Sequence, residues 1–89
     1  MKLHLPNNLS KMKELIEYVA RSLVDDPTQV RVSERKKGES TEIALKVARA
    51  DMGRVIGRNG RVANAIRILL QVTAARDGKR AFLQISEPE

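Results

Sequence analysis

Two glycines, Gly57 and Gly60, flank a basic and a polar residue, and this short segment carries the clearest chemical signal in the chain. Glycines three positions apart let the backbone turn sharply and bring its amide groups close to another chain without an intervening Cβ. An apolar-periodic run begins at Arg61, and the N-terminus of a helix offers unpaired N–H groups and partial positive charge to an anion. Arg58 and Arg61 add full charges, and Asn59 adds a polar group. The segment therefore suits a sugar-phosphate backbone.

The positive charge of the chain is concentrated around these glycines. The protein has 89 residues, a net charge of +6 and a pI of about 10.2. Residues 46–80 contain nine basic and two acidic side chains, a net charge of +7, whereas the rest of the chain has eight basic and nine acidic residues. This asymmetry is typical of a surface that binds a polyanion, although basic helix faces in contact with water would give the same count.

Few residues are available for catalysis or for binding a metal. Cysteine is absent, which excludes disulfides, thiolate metal sites and a cysteine nucleophile. The single histidine, His4, lies in a stretch without periodicity, and no acidic cluster has the spacing of a carboxylate metal site. The phosphate-loop pattern G-x-x-x-x-G-K-[ST] is also missing. We therefore expect no enzymatic activity, no metal and no cofactor.

The hydropathy of the chain bears on its location in the cell. No apolar run approaches the ~20 residues that span a bilayer, and the N-terminus lacks the apolar core of a signal peptide. We expect a cytoplasmic protein.

The first half of the chain has a helical and then an alternating pattern. Apolar residues from Met12 to Leu23 recur at helical spacing, with Ser10 suited to the N-cap and an end near Asp25, just before Pro27. Alternating apolar residues then predict strands at 30–33 and 42–47. The segment between these strands, 36–39, is predicted to be a hairpin loop.

The second half contains the elements that must position the glycine segment. A short helix is predicted from about Ala50 to Ile56, interrupted by Gly53, and a long helix follows Gly60 and ends before Gly78. The predicted apolar face of the long helix consists of Val62, Ile66, Leu69, Leu70 and Thr73. A last strand is predicted at 81–85. The predicted fold class is α+β, a three-stranded sheet covered on one face by three helices.

This α-β-β-α-α-β order, with the glycine segment between the central helices, resembles the type II (prokaryotic) KH domain. The string Val55-Ile56-Gly57-Arg58-Asn59-Gly60 matches the KH signature V-I-G-x-x-G. More narrowly, the chain resembles the KhpA (YlqC-like) family of small bacterial proteins that consist of one KH domain. Residues 12–18, 23–27 and 51–61 carry this narrower resemblance.

The resemblance also suggests a division of the chain. Because members of the family usually begin at the position of Met12, we expect a KH domain at 12–87. Residues 1–11 are then expected to be an N-terminal extension, whether native, encoded from an upstream start codon or left by cloning.

The resemblance implies RNA binding without an enzymatic step, in the manner of an RNA chaperone. It also implies self-association and pairing with a larger KH-containing protein of the KhpB (Jag) type that is linked to cell elongation, division and shape. By resemblance, the GxxG loop residues Gly57, Arg58, Asn59 and Gly60 hold the phosphates of single-stranded RNA, with Arg54 and Arg61 as flanking contacts. Ile56, Val62 and Val47 would form the apolar floor beneath the bases, although each also suits the core.

Two alternatives remain open at this point. A KH fold can serve as a protein-interaction or dimerisation module with little intrinsic RNA binding, and single-stranded DNA is not distinguished from RNA. Tyr18 and Phe82 are the only aromatic residues, so we do not expect the aromatic base-stacking platform of RRM and OB-type proteins. The scarcity of aromatic residues favours a KH domain over those competitors and predicts modest affinity with weak specificity.

Overall fold

A three-stranded sheet carries three helices on one face in the computed structural model of the protein, which describes residues 11–87. The elements are α1 (Lys11–Leu23), β1 (Arg31–Lys37), β2 (Ser40–Lys46), α2 (Met52–Ile56), α3 (Arg61–Arg76) and β3 (Arg80–Ser86). Single 3-10 turns lie at Pro27–Gln29, Arg49–Asp51 and Arg58–Gly60. The predicted element order and the α+β fold class are confirmed. The predictions for His4 and Ser10, and for nearly all of the extension at 1–11, lie outside the described residues.

The sheet has the order β1-β2-β3. β1 and β2 form an antiparallel hairpin, whereas β2 and β3 are parallel. Parallel neighbours need a long crossover connection, which α2 and α3 provide here. The glycine segment lies in the middle of this crossover, so the sheet fixes both helices that flank it.

The hairpin is longer than the sequence predicted. Lys36 and Lys37, expected in the loop, belong to β1 and pair with Thr41 and Ser40. Only Gly38 and Glu39 form the turn. Lysine side chains on an edge strand stay in water while their backbone pairs, which explains why polar residues here continue the strand.

The core lies between the sheet and the helices. Ile43 and Leu45 of β2, together with Ile16 of α1 and Leu70 of α3, are almost completely buried. The remaining members of the buried apolar cluster are Met12, Ala20, Val30, Val47, Val55, Ile66, Ala74, Ala81 and Leu83. The period of two along the strands and the helical period along α1 and α3 thus bring one apolar stripe of each element into a shared core.

The buried face of α3 differs from the predicted one. Its buried residues are Ala63, Ile66, Leu70 and Ala74. Leu69, predicted to face the core, is 48% exposed, since the two alanines let α3 approach its neighbours closely and thereby rotate the core-facing stripe away from Leu69. The error arose because apolar residues occupy two adjacent sides of this helix, and periodicity alone does not rank them.

The short helix also begins later than predicted, at Met52 rather than near Ala50. Gly53 lies inside α2 and does not interrupt it. A glycine in a helix interior costs only about 1 kcal/mol relative to alanine, which the packing of Val55 in the core offsets.

None of the helices within residues 11–87 combines the length and the apolarity that crossing a bilayer requires.

Candidate nucleic-acid interface

The chain turns between α2 and α3 through three residues with positive φ. Gly57, which follows the last residue of α2, has φ 76° and ψ 174°, and its N–H donates to the carbonyl of Gly53 at 2.8 Å. Asn59 (φ 57°, ψ 26°) and Gly60 (φ 74°, ψ 14°) are both left-handed. The N–H of Gly60 donates to the carbonyl of Gly57 at 3.2 Å, which closes the turn. The sequence-predicted glycine loop is therefore a tight and defined structure.

The first turn of α3 has no side-chain cap, and its first N–H, that of Arg61, donates to the carbonyl of Arg58. Gly60 occupies its N-cap and supplies no side-chain acceptor. Because the first N–H groups of a helix have no partner within the helix, they point out of its end toward an incoming acceptor. The positive end of the dipole of a 16-residue helix coincides with these donors.

Cationic and polar side chains surround this helix end. Arg58, Asn59 and Arg61 are exposed, and none of them has an ion pair within residues 11–87. Their charges and donors thus remain available to a ligand. The structure brings these three predicted site residues together with the two glycines.

Arg54 has a different environment from the other predicted cations. Its guanidinium lies 2.9 Å from the carboxylate of Asp25 and 3.7 Å from that of Asp51. These two acids neutralise part of its charge. Arg54 thus offers less to a phosphate than Arg58 or Arg61 does, and it joins α2 to the chain segment after α1.

Asp51 is a residue whose role the sequence analysis missed. Its side chain is 2% exposed and accepts hydrogen bonds from the backbone N–H groups of Asp25 and Asp26 at 3.1 and 3.2 Å. It ties the segment after α1 to the start of α2, and thus positions the helix that ends at the glycine loop. The sequence offered one signal for a structural role of Asp51, namely an acidic residue three positions before Arg54 in a strongly basic segment.

The three apolar residues predicted beneath the bases have unequal access to solvent. Ile56 is 36% exposed and Val62 is partly buried against the core, so both present some apolar surface beside the loop. Val47 is completely buried and belongs to the core. Of the two roles open to Val47, floor residue or core residue, its burial supports the core.

A second apolar surface on α3 faces solvent. We call Ile68, Leu69 and Val72 the α3 outer face; their exposed fractions are 53%, 48% and 56%. At helical spacing the three side chains are neighbours on one side of α3. No element within residues 11–87 covers them.

The topology and the glycine loop together define the class of the protein. A mixed three-stranded sheet in the order β1-β2-β3, with α1, α2 and α3 on one face and a GxxG turn between α2 and α3, is a type II KH domain. The predicted fold is thus confirmed in its topology.

Comparison with known proteins identifies the family. The family model described as the KH domain of KhpA/KhpB matches residues 13–85. The protein is 47% identical to "RNA-binding protein KhpA" of Clostridium acetobutylicum over 74 residues, which span 83% of this chain and 99% of the relative. It is 39% identical to the protein of the same description from Aquifex aeolicus over 79 residues, which span 89% of this chain and all of the relative. The chain belongs to the KhpA/KhpB KH-domain family.

Solved structures of Era have a similar fold. An Aquifex aeolicus Era variant bound to GDP.AlF4- superimposes with a TM-score of 0.62 at 19% identity, covering 98% of this chain and 33% of Era. Era in complex with MgGDPNP and nucleotides 1506–1542 of 16S ribosomal RNA gives a TM-score of 0.61 at 16% identity, covering 98% of this chain and 35% of Era. The chain thus corresponds to about a third of Era, and the likeness concerns the fold.

Proposed function

We propose that the protein binds single-stranded RNA through its glycine loop and acts as a non-catalytic, RNA chaperone-like protein. The observation that supports this most directly is the pair of left-handed residues Asn59 and Gly60. They turn the chain so that the start of α3, which has no side-chain cap, lies beside two arginines without an ion pair within residues 11–87. The description of the relatives as RNA-binding proteins supports RNA as the ligand. The complex of Era with ribosomal RNA supports it as well, since the fold is similar.

The proposed mechanism assigns phosphates to the loop and bases to its apolar border. The backbone of Gly57 and Gly60 leaves room for a sugar-phosphate chain, and Arg58, Asn59 and Arg61 donate to the phosphates, with Arg54 a weaker flanking contact. A KH loop of this kind holds about four nucleotides. Ile56 and Val62 provide the apolar contact for the bases.

This arrangement holds an RNA strand without cutting it. Every proposed contact donates to a phosphate or packs against a base, and no step requires a general base or a metal. Since phosphate contacts position a strand without reading its sequence, we expect broad specificity. We assign this activity to a KH domain at 12–87, with 1–11 as an extension, and to the cytoplasm.

The α3 outer face is suited to a second role, which is association with another KH domain. Three half-exposed aliphatic residues on one side of a helix lose contact with water when an identical face packs on them around a two-fold axis. We propose a homodimer that uses this face. Two RNA-binding loops in one dimer would raise the affinity for a long RNA through effective concentration.

The RNA proposal is tested with a five-nucleotide RNA and the double variant Arg58→Asp/Asn59→Asp. Aspartate tolerates the left-handed conformation of Asn59, so the turn is retained while two negative charges replace the phosphate contacts. The matched control is Arg67→Asp/Gln29→Asp, which makes the same change in net charge at exposed positions in α3 and in the turn before β1. Wild type and control should bind, with an affinity that falls as salt rises, and the loop variant should lose binding while it keeps its circular dichroism.

Equal binding by both variants would show that the loop is not the RNA contact. If wild type bound neither RNA nor DNA, the KH fold would instead serve a protein partner through the α3 outer face. A single-stranded DNA of the same length, run in parallel, distinguishes the two nucleic acids. Light scattering at high micromolar protein concentration tests the homodimer. If the protein is a monomer by itself and forms a dimer only after a KhpB-type KH domain is added, the heterodimer replaces the homodimer.

A further inference from the structure

The sheet has one face that no helix covers within residues 11–87. Residues on β3 alternate, so that Ala81 and Leu83 are buried toward the helices at 3% and 8% exposure, whereas Phe82 points to the opposite face and is 55% exposed. The small number of aromatic residues had argued against an aromatic platform, although the alternation along β3 sets Phe82 opposite to Ala81 and Leu83. The apolar ring of Phe82 loses its contact with water only when another molecule covers it.

Strand register places charged residues around Phe82. Glu42 of β2 is its neighbour across the parallel pair, and Arg35 of β1 is the neighbour of Glu42. Two residues along, Lys37, Ser40 and Arg80 form the next row on the same face. Adjacent strands are about 4.8 Å apart, so side chains of both rows reach the space above the ring.

Phe82 borders two clefts. One, of about 270 Å³, is lined by Lys37, Ser40, Thr41, Glu42 and Phe82. The other, of about 380 Å³, is lined by Gln71, Lys79, Arg80, Ala81 and Phe82. The ring is thus the wall shared by two shallow depressions, and each depression has at least one lysine or arginine at its border.

The charges on this surface favour a polyanion. Arg35, Lys37, Lys79 and Arg80 are exposed and have no ion pair within the described residues. Two acids lie near them: Glu42 in the row of Phe82, and Glu39, whose backbone carbonyl accepts a hydrogen bond from the N–H of Arg80 at 3.1 Å. The centre of a protein–protein interface is depleted of charged residues, and lysine in particular is rare there. An exposed aromatic ring amid unpaired cations is instead the composition of a surface that stacks bases and tracks a phosphate backbone.

We propose that this surface is a second contact for single-stranded RNA, separate from the glycine loop. A base stacks on the ring of Phe82, and the neighbouring phosphates lie at Lys37 and Arg80. The carboxylate of Glu42 repels phosphate, so it faces the base edge, where it accepts a hydrogen bond from an amino group. The proposal shares its class of ligand with the proposed function but uses different residues.

The position of Phe82 makes the proposal depend on RNA length. α3 has 16 residues and therefore separates the loop from the start of β3 by about 24 Å. A strand of about four nucleotides that fills the loop does not reach Phe82 as well. A longer strand can continue to the open face of the sheet, where each further contact adds affinity.

The test compares a five-nucleotide and a 15-nucleotide RNA on wild type, Phe82→Ala and Phe82→Leu. The control variant is Tyr18→Ala, which removes an aromatic residue that is 74% exposed on α1, away from the cations described above. We expect Phe82→Ala to leave binding of the short RNA unchanged and to weaken binding of the long RNA on the order of tenfold, in line with the loss of one base stack. Phe82→Leu should be equally weak, because leucine has no π face, and Tyr18→Ala should bind both RNAs like wild type.

Unchanged affinity of Phe82→Ala for the long RNA would overturn the proposal. So would full affinity of Phe82→Leu, which indicates simple apolar contact, or a smaller particle mass for Phe82→Ala without RNA, which indicates a protein interface. The short RNA keeps the two proposals separate. Loss of short-RNA binding in Arg58→Asp/Asn59→Asp concerns the loop alone. The effect of Phe82→Ala on the long RNA is measured with the loop unchanged and concerns the sheet face alone.

Discussion

The Cα of Gly57 lies directly against Val62. A methyl group added to Gly57 would stand 2.9 Å from the backbone nitrogen and from the Cβ of Val62, and closer still to Cγ2. The backbone of Gly57 also has φ 76° and ψ 174°, a region that only glycine adopts readily. Gly57 thus holds the end of α2 against the first turn of α3. At Gly60, apart from its chain neighbours, no atom of residues 11–87 lies within 4 Å of the corresponding position.

The two glycines of the loop should therefore differ in their tolerance of alanine. We expect Gly57→Ala to lower the free energy of unfolding by about 2–5 kcal/mol, since a strained φ/ψ and a steric clash add together. Gly60→Ala should cost about 1–2 kcal/mol, the penalty of the left-handed conformation alone. Urea denaturation of the two variants, at one protein concentration, measures the difference.

Gly60→Asn is the control for this comparison. Asparagine tolerates the left-handed region, so this variant should be more stable than Gly60→Ala. Equal losses for Gly57→Ala and Gly60→Ala would mean that Val62 moves aside and that the contact does not fix the loop.

Much of the fold could be predicted because the pattern of the sequence and the packing agree. Strict alternation around Ile43 and Leu45, and helical spacing around Ile16, each leave one arrangement that buries all the apolar residues. The glycine loop was predictable for a related reason, since Gly57 and Gly60 stand where a short apolar stretch meets a long one. Local patterns and the overall fold thus specify the same positions.

The parts that sequence reasoning missed depend on contacts between distant segments. The carboxylate of Asp51 accepts hydrogen bonds from backbone groups more than 20 residues away, and its spacing from Arg54 in the sequence does not reveal those distant partners. Leu69 lies next to Leu70 on a helix with two apolar sides, and only the alanines of the true core face decide between them. Phe82 follows the alternation of β3, but which sheet face stays open depends on where the helices pack.

Asp51 should contribute more to stability than an exposed aspartate does. Asp51→Ala leaves the N–H groups of Asp25 and Asp26 without their acceptor and Arg54 without one of its two carboxylates. We expect a loss of about 2 kcal/mol, because hydrogen bonds to a charged group are worth more than neutral ones. The matched control, Asp77→Ala in the exposed turn after α3, should change stability by less than about 0.5 kcal/mol.

Amide hydrogen exchange provides a second measurement of the same contact. In Asp51→Ala the N–H groups of Asp25 and Asp26 should exchange faster than in wild type, at a temperature where both proteins are folded. Slow exchange in the variant would show that other groups hold this segment to α2.

Arg61 and Arg54 should differ in how they affect the salt dependence of RNA binding. Arg61 has no ion pair within residues 11–87, so its replacement by alanine removes a full phosphate contact and should make the negative slope of log K against log salt shallower by about 0.7. Arg54 is paired with Asp25 and Asp51, so Arg54→Ala should change the slope less and the stability more.

Fluorescence anisotropy with the five-nucleotide RNA, between about 50 and 200 mM salt, measures both slopes. Arg67→Ala, an exposed arginine in α3 outside the proposed site, is the control and should leave the slope unchanged. An equal decrease for Arg61→Ala and Arg67→Ala would indicate a diffuse effect of net charge and no defined contact at Arg61.

Leu69 and Leu70 are adjacent in α3 but lie in opposite environments, and the contrast separates folding from association. Leu70 is 1% exposed, so Leu70→Ala should destabilise the fold by about 2–5 kcal/mol through lost burial and a cavity. Leu69 is 48% exposed, so Leu69→Ala should cost about 1 kcal/mol or less in the monomer. If the α3 outer face forms the homodimer, Leu69→Ala should instead raise the dimer dissociation constant, as measured by sedimentation equilibrium. If Leu69 lies in the centre of a helix–helix interface, its truncation removes apolar area that the dimer buries, and the dimer becomes weaker. A Leu69→Ala protein that dimerises like wild type would therefore place the interface elsewhere.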